Sequence, residues 1–70
     1  MNRKFVQSSN LLSIGYDENK SVLEIEFHGG AVYQYFKVPS TIYLALMNAA
    51  SKGTYFHNNI KEHYRYERIG

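Results

Sequence analysis

Apolar and polar residues alternate along two stretches in the first half of the chain. Leu12, Ile14 and Tyr16 alternate with Ser13 and Gly15, and Leu23, Ile25 and Phe27 alternate with Glu24, Glu26 and His28. Period-two alternation is the mark of a half-buried strand. Asp17-Glu18-Asn19-Lys20 between them reads as a turn. A third strand is expected over 31–38, where Val32, Tyr33, Tyr35, Phe36 and Val38 favour extended backbone. Pro39 ends the sheet because it cannot donate to a ladder, and Ser40 or Thr41 can then cap a helix. Ile42, Ala45, Leu46 and Ala49 recur at helical spacing. That helix is expected to run over 40–52, with Lys52 in its last turn and Gly53 as the left-handed residue that stops it. Phe56, Ile60 and Tyr64, four apart, predict a short second helix reaching about His63. Tyr66 to Ile69 is expected as an extended tail folded back on the body. The fold class is α+β, one domain over residues 1–70. A three-stranded antiparallel β-meander packs against one main helix plus a short C-terminal helix.

Hairpin register decides where the tyrosines go. If Gly29-Gly30 is a two-residue turn, Phe27 opposes Val32, Ile25 opposes Gln34 and Leu23 opposes Phe36. Tyr33 and Tyr35 then lie on the other face, opposite Glu26 and Glu24. This is the register expected, although it points Gln34 at the core. A three-residue loop with a bulge at Gly30 is the alternative. It shifts pairing by one residue and turns both tyrosines inward. In the first hairpin, with 17–20 as the loop, Ile14 opposes Leu23 and Leu12 opposes Ile25. Strand three is apolar on both faces in either register, so its second face needs a cover, with Phe5-Val6 or the C-terminal tail as the candidates.

Composition narrows the classes. The 70 residues hold no cysteine, which removes disulfides and cysteine-metal sites. No apolar run nears the roughly 20 residues of a membrane span, so a cytoplasmic, soluble protein is the expectation. Seven Tyr and four Phe supply bulky apolar material. Net charge is only +2, a weak field despite a pI near 9.0. Placement matters more: Lys52, Lys61, Arg65 and Arg68 crowd the last 20 residues, while Glu24 and Glu26 share one strand and could pair with that basic tail.

Candidate chemistry is sparse. His28, His57 and His63 lack metal-ligand spacing, and read as surface or capping groups. Glu24 and Glu26 fit a polar sheet face better than an acid–base pair. No serine sits in a nucleophile motif, and no glycine pattern cradles a phosphate. No enzymatic activity, cofactor or metal is expected. The tyrosines carry three readings: packing groups with solvated hydroxyls, stacking platforms for unpaired bases, or a protein interface. For base stacking, Tyr33 and Tyr35 would supply rings, and Lys37, Lys52, Lys61, Arg65 and Arg68 would engage phosphates. Ser51, Gly53 and Thr54 form a turn whose backbone N–H groups could hold an anion.

An ordered series of motifs runs through nearly the whole chain. Ser8-Ser9 and Ile14-Gly15-Tyr16-Asp17 come first. Leu23-x-Ile25-x-Phe27-x-x-Gly30-x-x-Tyr33-x-Tyr35-x-x-Val38-Pro39 follows, and then Tyr43, Leu46, Ser51, Gly53, Tyr55-Phe56, Ile60 and Tyr64. The series resembles the KTSC domain, a C-terminal extension of some lysyl-tRNA synthetases that also occurs as small stand-alone bacterial proteins. His57 departs from the pattern, which has Asn there. The resemblance implies a small RNA-binding accessory module for tRNA or single-stranded RNA. The alternative is a protein-interaction or self-association module that uses the tyrosine-rich face.

Overall fold

The computed structural model describes all 70 residues. Its core is one antiparallel sheet of five strands in chain order: β1 (Arg3–Phe5), β2 (Leu11–Asp17), β3 (Val22–Phe27), β4 (Val32–Tyr35) and β5 (Tyr66–Arg68). Two helices, α1 (Ser40–Asn48) and α2 (Lys52–Asn59), lie between β4 and β5 in the chain and cover one face. The α+β class and the central meander agree with expectation, but the strand count is five, not three. The added strands are three residues each and sit at the two edges. Neither is long enough to show a periodic pattern of its own. The expected back-folded tail is β5, which pairs Tyr66 with Tyr35 and Arg68 with Tyr33.

The β3–β4 hairpin takes the alternative register. Leu23 opposes Tyr35, Ile25 opposes Tyr33, and Glu24 opposes Gln34. His28-Gly29-Gly30 is a three-residue loop closed by Phe27 N–H to Ala31 O and Gly30 N–H to Phe27 O. Gly29 and Gly30 have φ of 104° and 102°, backbone that only glycine adopts cheaply. Because strand side chains alternate faces, this single extra residue exchanges the two sides of β4. Tyr33 and Tyr35 point at the helices, and Gln34 points away. The conflict that the two-residue turn created at Gln34 disappears.

The β2–β3 hairpin differs by two residues, which preserves the faces. Ile14 opposes Ile25 and Tyr16 opposes Leu23. A bulge between Leu11 and Ser13 then brings Leu11, rather than Leu12, fully into the core. Strand β4 ends at Tyr35 instead of residue 38. Lys37 is left-handed, with φ of 56°, and Val38 N–H bonds to Ser21 O instead of a ladder partner.

The helix boundaries also move. Pro39 is the N-cap of α1, with no side-chain capping bond. The helix stops at Asn48, followed by extended Ala49. Ser51 then caps α2, its hydroxyl accepting from Thr54 N–H. Capping by Ser51 starts a new helix where one long helix was expected, so Lys52 and Gly53 open α2 rather than close α1.

The helix-facing side holds Leu11, Ile14, Leu23, Ile25 and Tyr35 of the sheet, joined by Val38, Leu46, Phe56 and Ile60. Tyr16 stacks on Tyr43 of α1 at 4.8 Å between centroids and donates to Val38 O at 2.6 Å. Phe27, Tyr16 and Tyr64 pack at the margin of this core.

The opposite face is polar but barely exposed. Glu24 is 7% exposed and Ser13 2%. Gly15 makes this possible. A Cβ there would lie 2.9 Å from Arg3 Cγ and 3.0 Å from Asn2 O. The bare backbone lets Arg3 cross β2 and reach β3, where its guanidinium donates to Glu24 and lies 3.8 Å from Glu26. Gln34 donates to Glu24 at 2.9 Å, and the Ser13 hydroxyl to Glu26 at 2.8 Å. The two glutamates therefore pair with the N-terminal strand, not the basic tail. Of the two expected covers, Phe5-Val6 is not in place, with Phe5 80% exposed and Val6 packed against the helix-facing core, whereas the C-terminal tail runs beside β4 and bonds to Val32 O.

Removing Arg3 strands a buried carboxylate. Arg3→Ala is expected to cost about 1–3 kcal/mol in urea unfolding. Neutralising the stranded group with Glu24→Gln in the same chain should return part of that loss, a coupling that a double-mutant cycle measures.

Candidate functional site

The inward turn of β4 brings five rings together. Phe27 lies edge-on to Tyr33 (5.7 Å) and to Phe56 (5.4 Å), and Tyr35 lies edge-on to Phe56 (5.5 Å). Tyr66 of β5 closes the set, 5.8 Å from Tyr33 and 5.7 Å from Tyr35. Edge-to-face and offset contacts of this kind add to the gain from burial.

The rings line a cleft of about 340 Å³ between α2 and the β4–β5 edge. Its floor is Tyr35 and Phe56, each 3% exposed. One wall is Tyr66, 56% exposed, since α1 and α2 cover the sheet only as far as β4. Asn10, His57, Lys61 and Glu62 complete the lining. A second, wider groove of about 620 Å³ adjoins through Tyr66, lined also by Phe36, Lys37, His63, Tyr64, Arg65 and Glu67.

The expected binding residues are thus partly assembled. Lys61 stands at the aromatic cleft, Lys37 and Arg65 in the adjoining groove, and Arg68 beside Tyr33 on β5. Tyr33 is half-buried at the cleft wall. Tyr35 is corrected from platform to floor, because its ring is enclosed and offers no face to a base. Lys52 is elsewhere: its ammonium bonds to Ala49 O at the start of α2.

Ser51, Gly53 and Thr54 line a separate polar groove with Ser8, Ser9 and Asn10. There Ser51 already bonds to Thr54, its hydroxyl donating to Thr54 Oγ1 at 2.9 Å and accepting from Thr54 N–H. Ser8 similarly accepts from the N–H groups of Asn10 and Leu11. Both serines are occupied in holding local turns. The histidines are dispersed: His28 bonds to Ser8 O, His57 faces the cleft, and His63 faces the wider groove.

Tyr66, His57 and Glu62 were not among the expected site residues. The available signal was the strand over 31–38, apolar on both faces, for which the back-folded tail of Tyr66 to Ile69 was a candidate cover.

The family profile of the KTSC domain matches residues 7–64. The chain belongs to the KTSC domain family. Relatives fall into two kinds. A protein of Stutzerimonas stutzeri described as uncharacterized is 47% identical over 70 residues, 99% of each chain. A lysine–tRNA ligase of a Nostoc species is 41% identical over 63 residues, which are 90% of this KTSC domain but 11% of that enzyme. The crystal structure of a KTSC domain protein from Yersinia pestis superposes with a TM-score of 0.93 at 43% identity, covering 99% of this chain and 97% of that one. The fold is therefore shared by close relatives, and the domain occurs both alone and within a ligase. No helix is long and apolar enough to cross a membrane.

Burial raises the Tyr35 phenol above its usual range, helped by the neighbouring phenols of Tyr33 and Tyr66. Folded Tyr35 keeps its proton where an unfolded tyrosine, near pH 10, loses it. The folded state then binds more protons, so this contribution to stability is intact below about pH 10 and falls as pH rises above it. Unfolding in urea from pH 9 to 11.5 should show that decline, and Tyr35→Phe should flatten it.

Proposed function

We propose that this KTSC domain is a non-enzymatic RNA-binding accessory module for tRNA or single-stranded RNA. The observation that carries this reading is the exposed Tyr66 ring set in an aromatic cleft, between Lys61 on one side and Lys37 and Arg65 on the other. An exposed aromatic within reach of several cations is the arrangement that binds single strands, the ring taking a base and the cations the backbone. The relationship to lysine–tRNA ligases, enzymes whose substrate is an RNA, supports the same direction.

The polar face opposite is unsuited to the task. Its two glutamates would repel phosphate, and its one arginine is committed to them. Binding belongs to the helix-facing side, at the edge the helices leave open. The stacking residues are then Tyr66 and Tyr33, over a floor of Tyr35. Lys37, Lys61, Arg65 and Arg68 supply phosphate contacts, and Lys52 stands apart from them.

Salt dependence tests this. If three phosphates are neutralised, the logarithm of affinity falls against the logarithm of salt with a slope of about −2, so fourfold more salt costs roughly fifteenfold. NMR titration with single-stranded RNA and with tRNA at two salt concentrations should shift the residues around Tyr66 and Lys61. Tyr66→Ala should weaken binding by about 1–3 kcal/mol. Absence of shifts there at low salt would refute the reading. Sedimentation at rising concentration should find a monomer; dimerisation abolished by Tyr66→Ala would favour an interaction module instead.

A further inference from the structure

The rim of the aromatic cleft carries four polar side chains with nothing to hold. Asn10, His57, Lys61 and Glu62 all line it. The chain's ion pairs are both made by Arg3, so Lys61 and Glu62 are unpaired although adjacent. The backbone of Asn10 is engaged, by N–H to Ser8 and by its carbonyl to His28, and its side-chain amide makes no bond within the protein. The rim thus offers one carboxylate acceptor, one ammonium donor, an amide that can do both, and an imidazole. All are water-accessible beside apolar walls.

Glu62 is the informative member. A carboxylate at a phosphate-binding cleft works against the backbone, and a domain that bound RNA through charge alone would be better without it. A carboxylate earns a place if it accepts hydrogen bonds from the base itself. Ionised, it is acceptor-only with two oxygens, which suits two parallel N–H donors. Among the four bases, guanine presents such a pair, its ring N1–H and its exocyclic amine, on one edge. It also carries O6, an acceptor that an ammonium or amide can donate to. Uracil offers a single N–H between two carbonyls, and those carbonyls face the carboxylate unfavourably. Adenine and cytosine offer an amine beside an unprotonated ring nitrogen, which repels the second oxygen. Specificity of this kind arises because the wrong base leaves a polar group unpaired.

Volume fits one base. At about 340 Å³ the cleft is at the low end of small-ligand sites, which span roughly 300–1,000 Å³. Its floor is closed by Tyr35 and Phe56, so a ring enters edge-first against Tyr66 and cannot pass through. Lys61 disfavours a cationic guest, which an aromatic cage would otherwise attract.

We propose that the cleft selects an unpaired guanine on an RNA strand, stacked on Tyr66 with its N1–H and amine edge on Glu62. This rests on the RNA-binding reading and adds the base to it. The test uses the whole protein and four labelled single-stranded RNA hexamers, each uracil except for one central G, A, C or U. A fifth contains inosine, which lacks the exocyclic amine, and GMP is titrated alone. Affinity is read by fluorescence anisotropy at low salt, with NMR shifts locating the bound base.

The G hexamer should bind at least tenfold more tightly than the A, C and U hexamers, with inosine between. Glu62→Gln should level the series while raising affinity for the U hexamer, since it also removes a charge that repels phosphate. That rise is something a merely unfolded variant could not show. Equal binding of all four hexamers would overturn guanine selection and leave RNA binding standing. Binding of none, with no NMR shift on adding tRNA either, would overturn both. GMP binding as tightly as the G hexamer would overturn the strand and assign the cleft to a free nucleotide.

Discussion

Parity in the β3–β4 hairpin is the constraint on which the rest of this structure depends. Strand side chains alternate faces, so adding or removing one loop residue moves every side chain of β4 to the opposite side. Gly29 and Gly30, both near φ of +100°, accommodate a loop of three. Tyr33 and Tyr35 consequently join Ile25 and Leu23 on the helix-facing side. Gln34 joins Glu24 on the other. The faces are then sorted: aromatic and aliphatic beneath the helices, and opposite them a hydrogen-bonded, charged centre flanked by Val22 and Val32. A two-residue turn would have buried an amide in the core and set two phenols against two carboxylates.

The outer face shows how a small domain without disulfides manages a nearly buried charge. The oxygens of Glu24 are satisfied because Arg3 and Gln34 both donate to them. Arg3 reaches it because Gly15 leaves space across β2. A short edge strand with little packing of its own is held by this crossing. The same parity decides the other edge. With Tyr35 turned inward, β5 pairs beside it and presents Tyr66 on the helix-facing side, beyond the reach of α1 and α2. The cleft is what the two short helices leave uncovered on a five-stranded sheet.

Much of this was legible in the residues. The period-two stretches located β2 and β3, the Gly-Gly pair located a hairpin, and Ile42–Leu46 and Phe56–Ile60 located two helices. The choice between two loop lengths was not legible, because Gly29-Gly30 suits both. Only the misfit of Gln34 argued for the loop that is observed. The division between the helices was missed for a physical reason. Gly53 commonly ends a helix, yet the Ser51 hydroxyl capping Thr54 N–H starts one instead. Edge strands of three residues depend on a neighbour's ladder, and so Arg3–Phe5 and Tyr66–Arg68 carried no signal alone. The site suffered most from that gap. Lys61, Lys37 and Arg65 were named from the residues, but Tyr66, which joins the cleft of the first to the groove of the other two, becomes visible only once β5 is paired.

The inward orientation of Tyr33 and Tyr35 is therefore the point on which fold and site stand together. Cross-strand Hα–Hα NOEs read it directly, because residues in non-hydrogen-bonded antiparallel pairs approach to about 4.5 Å between Cα atoms. Phe27 N–H bonds to Ala31 O, which places Glu26 with Val32 and Glu24 with Gln34 in such pairs. Strong Hα–Hα NOEs between those two pairs are the expected result. Strong NOEs instead between Phe27 and Val32 and between Ile25 and Gln34 would mean a two-residue turn, tyrosines on the polar face, and no aromatic cleft.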